Sequence, residues 1–475
     1  MEICNKFKIQ DKYMDTAERI FLLLFFIYSF LGTNSFTYGH KIITYVMWIT
    51  FMLGGLLLLY RLINFRSYYK MPGAVFLLFM LASMGISILA NYQYAFKENI
   101  IYAIYWVFYF GLLYVQRSDL SLETLREKFH FVAALFIIYM TVGVIASYIL
   151  MITGYNGVFH APDTNFEYRL GFSIGRLWGI FINPNHAAFS SCIASALLIY
   201  FITRTKKIVT RVFYVIDIFL LTFYISMADS RSGAISMGVM LAVISLVLLL
   251  YKNKEKRWIF KGLSVLTAAA ILVCGFYVPR LLKDAYNQVI NLTVSTDQPG
   301  EEQGHSAFTI ERGYDISEDI SNRRFDIWKS AVEIYTSSPK TMILGTSFRG
   351  MVPYALEHLP DTYLVNNDSI IFETTDNEFF NILTSQGAIG IVTVVLFAVF
   401  VLIFLIRRLL KLKREYVMLA AVLLSIVISL AACAMFSGVM FYNFSQNAII
   451  FWFALGSFIF VLQHGEEQRD DRISD

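Results

Sequence analysis

Long apolar runs recur along the chain, separated by short polar breaks, and this pattern governs how everything else in the sequence is read. A helix needs about 20 apolar residues to cross roughly 30 Å of hydrocarbon. Twelve stretches are read as such spans, at about 19–35, 41–60, 72–90, 99–116, 130–152, 185–203, 210–228, 232–251, 259–279, 387–406, 416–436 and 446–463. The first is flanked by charge and has no small-residue cleavage site, so it reads as a retained span and not as a removed signal peptide.

The basic residues between the runs alternate. One set of loops carries Lys6, Lys8, Lys12 and Arg19, then Arg61, Arg66 and Lys70, then Arg117, Arg126 and Lys128. The same set continues with Arg204, Lys206, Lys207 and Arg211, with Lys252, Lys254, Lys256, Arg257 and Lys261, and with Arg407, Arg408, Lys411, Lys413 and Arg414. The opposite short loops hold only Lys41, Lys97, Arg169, Arg176 and Arg231. An excess of Lys and Arg marks cytoplasmic loops, so both termini are expected in the cytoplasm. The expected fold is an all-α polytopic integral membrane protein of about twelve transmembrane helices, with one large external loop carrying short helices. Residues 1–279 hold spans one to nine, 280–386 form the extracytoplasmic loop, and 387–475 hold spans ten to twelve and a cytoplasmic tail.

Composition narrows the function. Hydrophobic residues make up 57% of the 475 residues and charged residues only 16%, against about 45–50% and 25% in soluble domains. That excludes a soluble enzyme, a disordered chain and a nucleic-acid binder. Cys4 lies near the N-terminus, while Cys192, Cys274 and Cys433 lie in apolar runs. They form neither a disulfide framework nor a CxxC metal pattern. The chain has no GxGxxG, GxxxxGK[ST] or HExxH motif and no DxD, so neither a cofactor nor a metal is expected.

The long loop has two parts. Residues 291–322 are polar, acidic and Gly-containing, which predicts flexibility. In the run RRFDIWKSAVEIYTSSP, Phe325, Trp328, Val332 and Tyr335 recur at near-helical spacing before a Ser-Ser-Pro stop. A second amphipathic run, TDNEFFNILTSQG, leads into span ten. The ordered half reads as a helical lid on the membrane face.

Polar residues at or near membrane depth tend to be functional. Arg231, in SMADSRSGA, is either part of a helix-end anion site or a side chain snorkelling to headgroups. In GRLWGIFINPNHAA, Asn183 and Asn185 flank a Pro turn that opens span six, with Asn185 the expected helix cap. The free amides there attract anions, unless the turn is only a cap and His186 only an interfacial histidine. Arg176 adds positive charge to a face poor in it. Arg323 and Arg324 open the lid helix, where cations oppose the helix dipole, which points to an acidic partner or a bound anion, or else to a solvated pair. Asp376, Asn377 and Glu378 start the last outer helix, either as capping acids or as a carboxylate poised as general base. Asp217 is the main ionisable residue deep in a span, read as hydrogen-bonded inside the bundle.

These signals fall in a particular order: NPN opening a span, SRSG two spans on, Arg324 four residues before Trp328, then SSP, LGTSFRG and DNEFFNILTSQGAIG. In that order the chain resembles the O-antigen polymerase and O-antigen ligase superfamily, over the topology of the whole chain and most sharply over about 175–395. The resemblance implies a metal-independent glycosyltransferase in a bacterial cytoplasmic membrane, moving a glycan from a polyprenyl-diphosphate carrier onto an acceptor hydroxyl. It implies that Arg231 and Arg324 are catalytic, and that Asn183 and Asn185 form the family's NPN turn. Ligases typically carry a histidine where this chain has Asp376, and that departure favours a polymerase.

The chemistry of the residues is compatible with this. Arginine stays charged and binds phosphate oxygens with two donors at once, so Arg231 and Arg324, joined by Arg176, would hold a diphosphate without a metal. Asp376 is the candidate base; alternatively it only orients the acceptor hydroxyl, and Glu378 or His186 takes the proton. Arg323, Trp328, Asn377, Glu378, Asn183, Asn185 and His186 are the candidate substrate contacts. A carboxylate near two arginines is expected to have a depressed pKa. Expected partners are a lipid-linked oligosaccharide donor and acceptor, the bilayer, and flippase and chain-length regulator proteins. The competing readings are a ligase-type transfer to another acceptor, a lipid-linked oligosaccharide flippase and a non-catalytic scaffold.

Overall fold

The computed structural model describes residues 11–63, 65–160, 167–295, 309–310, 323–366 and 371–467. Much of the expected flexible stretch 291–322 therefore lies outside the described residues, as does Cys4.

Helices dominate the order of elements. The first half of the chain forms α1 (Asp11–Gly32), α2 (Lys41–Ile63), the short α3 (Arg66–Lys70), α4 (Ala74–Ala90), α5 (Phe96–Phe108) with a π-helical extension at Tyr109–Tyr114, and α6 (Leu122–Ile152). Three strands follow, β1 (Gly157–His160), β2 (Glu167–Ser173) and β3 (Arg176–Gly179). Then come α7 (Pro184–Arg204), α8 (Ile208–Met227), α9 (Arg231–Lys252) and α10 (Trp258–Ser295). The lid is α11 (Arg324–Thr336), α12 (Pro339–Leu344) and α13 (Met351–His358), and the chain ends with α14 (Glu378–Arg408), α15 (Arg414–Cys433) and α16 (Gln446–His464).

Each of the twelve apolar stretches is helical, but among the described residues nine helices are long and apolar enough to cross a membrane. The other three fall short for separate reasons. In α1 the first nine residues include Asp11, Lys12, Asp15, Glu18 and Arg19. The apolar α4 has only 17 residues, and α5 changes to π-helix after 13. Of the nine, α16 is the most enclosed and α14 the least, so the last helix of the chain forms the centre of the bundle.

The all-α expectation needs a correction. Residues 157–160, 167–173 and 176–179 form a three-stranded antiparallel sheet in the order β1-β2-β3. Between β2 and β3 only Ile174 and Gly175 intervene, with φ of 51° and 60°, as a two-residue primed hairpin turn requires. The strands are too short for alternation to be visible in the sequence. The sheet leads directly into α7 and so aims its N-terminus.

The lid has its own small core of Ile327, Ile334, Met351, Tyr354, Ala355 and Leu364. The buried face of α11 is Ile327, Ser330, Ala331 and Ile334, a stripe displaced from the expected Phe325–Tyr335 one. Phe325 is 65% exposed and Val332 43%. Sequence spacing alone could not separate the two stripes, because both have helical period. Ser338 caps α12 in a capping box with Thr341, so the Ser-Ser-Pro sequence ends one helix and starts the next. The lid joins α14 backbone to backbone, through Thr346 N–H to Thr384 O at 2.8 Å and Ser347 N–H to Ser385 O at 3.0 Å. Gly345 and Gly387 make that approach possible. Both have positive φ, and a Cβ on either would meet the opposing backbone within 2.5 Å.

Arg61 and Lys128, expected at loops, are buried between helices instead. Glu18 pairs with Arg61 at 2.6 Å and with Lys128. Arg61 also donates to the carbonyls of Gly111 and Val115, at 2.8 and 2.6 Å, at the π-helical segment. These contacts offset the desolvation of the buried charges. Asp217 accepts from the Thr141 hydroxyl at 2.8 Å, which accords with the expectation of a hydrogen-bonded carboxylate in the bundle.

Candidate functional site

Four helix N-termini, those of α7, α9, α11 and α14, surround one short connection, residues 434–445 between α15 and α16. Exposed amides and the helix dipole make each N-terminus a place that favours negative charge.

The α7 terminus is built by the NPN turn. Asn183, not the expected Asn185, is its cap: it accepts from the N–H groups of Asn185 and His186 at 2.9 and 3.2 Å, because Asn185 already lies inside the helix. Pro184 occupies the first turn, where its missing N–H costs nothing. Asn185 Oδ1 receives Arg176 Nη2 at 3.0 Å. Arg176 is 9% exposed and lies over the Trp178 ring, so the strand β3 delivers a largely enclosed guanidinium to the turn. His186 points into the connection: its Nε2 is 2.8 Å from Ser437 Oγ and its Nδ1 is 3.5 Å from Asn443 Nδ2. An amide N–H donating to Nδ1 leaves Nε2 to carry the proton toward Ser437.

Arg231 is the first residue of α9, after Ser230, whose side chain accepts from Gly233 N–H at 3.1 Å. Asp229 does not complete a site with Arg231 alone, since it takes Lys283 of α10 at 2.9 Å. The first turn of α9 packs on α7 through Gly233, where a Cβ would lie 2.7 Å from that of Ala188. It also touches Cys433, whose thiol lies 3.9 Å from Ser232 O. That places the Arg231 end of α9 beside the start of the connection.

Arg324 is the first residue of α11. Its guanidinium carbon is 6.0 Å from the centroid of the Phe436 ring, and its Nε is buried without a hydrogen-bond partner among the described residues. Arg323 is the residue before, at φ 60°, and its Nη1 reaches the Tyr363 hydroxyl at 3.4 Å, away on the lid. Trp328 packs: its indole N–H donates to Thr375 O at 3.0 Å and its ring stacks on Phe380.

At α14 the roles differ from those expected. The cap is Asn377, which accepts from Phe379 N–H at 2.9 Å and donates to Met435 O at 2.9 Å. Asp376 therefore does not cap the helix; it stands one residue earlier at φ 50°, half-buried. Burial pushes the Asp376 carboxyl above its usual range, with the Arg324 charge and the Thr374 hydroxyl pulling it back. This corrects the expectation of a depressed pKa: desolvation outweighs the cation. Glu378 grips the connection, its Oε1 accepting from the N–H groups of Met440 and Phe441, both at 2.7 Å. Its own N–H donates to Ala434 O at 2.8 Å.

The 434–445 connection was missed as a functional element. Its sequence AMFSGVMFYNFS reads as a break between two spans, and the Ser-Gly pair and Asn443 were the only signal. Its role follows from contacts with residues some 60 to 260 positions away. Among the described residues, no group of three or more His, Cys, Asp and Glu side chains gathers as a metal would require.

No curated protein matches the chain. A family model described as O-antigen ligase matches residues 216–395, a segment that holds Arg231, Arg324, Asp376, Asn377 and Glu378 but stops short of the connection. That match supports placing the chain in the O-antigen polymerase and ligase superfamily.

Proposed function

We propose that the protein is a metal-independent glycosyltransferase that polymerises polyprenyl-diphosphate-linked oligosaccharide repeat units into a surface polysaccharide, at the outer face of a bacterial cytoplasmic membrane. The observation that carries this reading is that Arg231 and Arg324 each occupy the first position of a helix. A cation there adds to the positive end of the dipole, a locally unfavourable arrangement that a bound anion relieves. Both helix starts border the same connection, and a diphosphate matches the paired guanidinium chemistry.

In the reaction, an acceptor hydroxyl oxygen attacks the anomeric carbon as the bond to the diphosphate oxygen breaks. The polyprenyl diphosphate leaves with the bond electrons, held by Arg231 and Arg324 with Arg176 behind them. The hydroxyl proton passes to Asp376, whose raised pKa makes it a better base than an ordinary aspartate. One displacement of this kind inverts the anomeric centre. Asn377 and Glu378 fix the connection that presents Phe436 and Ser437, and His186 orients Ser437.

Glycan transfer to a different acceptor, as a ligase performs, is the second reading. The description of the matching family favours it, and Asp376 in place of the ligase histidine speaks against it. Reconstitution of the purified chain with the host's lipid-linked repeat unit tests both. A ladder of lipid-linked products supports the polymerase; transfer only to a lipid or protein acceptor supports the ligase; movement of the lipid without bond formation overturns both.

A further inference from the structure

Beside the connection, on the same end of the bundle, the lid, the sheet and the helices bring together aromatic rings and one ion pair that the proposed chemistry does not use. Tyr442 of the connection stacks on Phe348 of the lid, centroids 4.4 Å apart. The next residue, Arg349, lies over the Tyr102 ring at 5.3 Å and pairs with Glu373 at 2.5 Å. Arg349 N–H donates to Asn99 Oδ1 at 2.9 Å, which fixes its backbone. Tyr38, between α1 and α2, meets Tyr168 of β2 edge-on at 5.4 Å. Burial and the Glu373 carboxylate push the Tyr38 hydroxyl above its usual range while Arg349 pulls it back.

Water still reaches this group: the Glu373 side chain is 66% exposed and that of Arg349 30%. A partly exposed pair of long side chains contributes little to stability, so the fold gains little from holding it over an aromatic ring. A pyranose presents an apolar C–H face and a ring of hydroxyls that both donate and accept. Tyr38 offers a flat ring with a polar tip, and Tyr102, whose face carries Arg349, holds the guanidinium in place. The planar guanidinium supplies paired donors, and the carboxylate supplies acceptors. We propose that Tyr38, Tyr102, Arg349 and Glu373 form a glycan subsite that holds a sugar of the oligosaccharide while its reacting end lies at the 434–445 connection. This rests on the glycosyltransferase reading and extends it by naming the residues that select the sugar.

The probe is the oligosaccharide released by partial hydrolysis of the host's own surface polysaccharide, with a malto-oligosaccharide as control. Binding to the detergent-purified full chain is followed by saturation-transfer NMR, alongside turnover of the lipid-linked repeat unit. Wild type should bind the host fragment and not the control. Arg349→Gln, Glu373→Gln and Tyr38→Ala should each weaken binding about tenfold, equivalent to about 1.4 kcal/mol, and raise KM similarly with kcat within about threefold. The single variants and the swap Arg349→Glu with Glu373→Arg should all melt near the wild-type temperature, and the swap should leave fragment binding weak. Recovery of binding in the swap would reduce the pair to a tether and overturn the subsite, as would equal binding of fragment and control. Normal KM in the single variants overturns the subsite and leaves the enzyme reading intact. Fragment binding by a wild-type chain that forms no glycosidic product does the reverse.

Discussion

Glu378 Oε1 accepts hydrogen bonds from Met440 and Phe441 N–H, both at 2.7 Å, across 62 and 63 residues of sequence. A carboxylate read from sequence as a substrate contact is thus the anchor of the connection around which the candidate site is arranged. Glu378→Ala leaves two enclosed N–H groups unsatisfied, at about 1–3 kcal/mol each. It should lower the melting temperature in detergent and the yield of polymer together. Glu378→Gln keeps an acceptor oxygen and should stay folded. A Glu378→Ala variant that melts like wild type would show that the anchor is dispensable.

Arg231 and Arg324 are expected to act on the leaving diphosphate. Alanine at either should reduce product by about 100- to 1,000-fold, the scale seen when one donor to a developing charge is removed. Lysine should restore only part of it, because a point charge lacks the planar fork. The measurement is initial rate in proteoliposomes, with circular dichroism confirming that each variant is helical.

Asp376 can be tested through its titration. A carboxyl whose pKa is raised by folding holds a proton that the unfolded chain has already lost. Native stability therefore falls as pH rises from the ordinary aspartate value to the raised one. Asp376→Asn removes that loss, so at neutral pH it should melt at or above the wild-type temperature while making little product. The acid limb of the wild-type pH–rate profile should lie above the range where ordinary aspartates ionise. Thr374→Val removes a hydroxyl that holds the pKa down, and should move that limb to higher pH. Near-normal turnover by Asp376→Asn would end its assignment as the base.

Gly387 carries φ 62° and ψ −156° inside α14, a region essentially closed to other residues. A Cβ there would lie 2.5 Å from the Ile343 carbonyl carbon. Gly387→Ala should cost at least about 1–3 kcal/mol of strain and separate the lid from α14. Limited proteolysis of the lid, compared between variant and wild type, reads this directly.

The proposed orientation makes a topological prediction. With Cys274, which is exposed, replaced by Ser, a cysteine introduced at Lys329 of the lid should react with an impermeant maleimide in intact cells. One at Lys254 should react only after the membrane is opened. The opposite result would put the lid in the cytoplasm and remove the outer-face mechanism.

What the sequence determined by itself is the helical, membrane-embedded character of the chain, because twenty-residue apolar runs leave hydrogen-bonded helices as the way to satisfy the backbone in lipid. It also marked the helix starts at the Asn-Pro-Asn turn and at Arg324, since turns and helix-opening cations are local features, although it put the cap at Asn185 and not at Asn183. The sheet of β1, β2 and β3 was invisible, its strands being only four to seven residues long. So were the pairing of Glu18 with Arg61 and Lys128 and the buried stripe of α11. Each depends on which residues meet across helices far apart in the chain. The raised pKa of Asp376 shows the limit most directly. Nearby cations can be guessed from sequence, but desolvation is set by how closely the folded chain surrounds the group, and only the tertiary structure decided that burial would win.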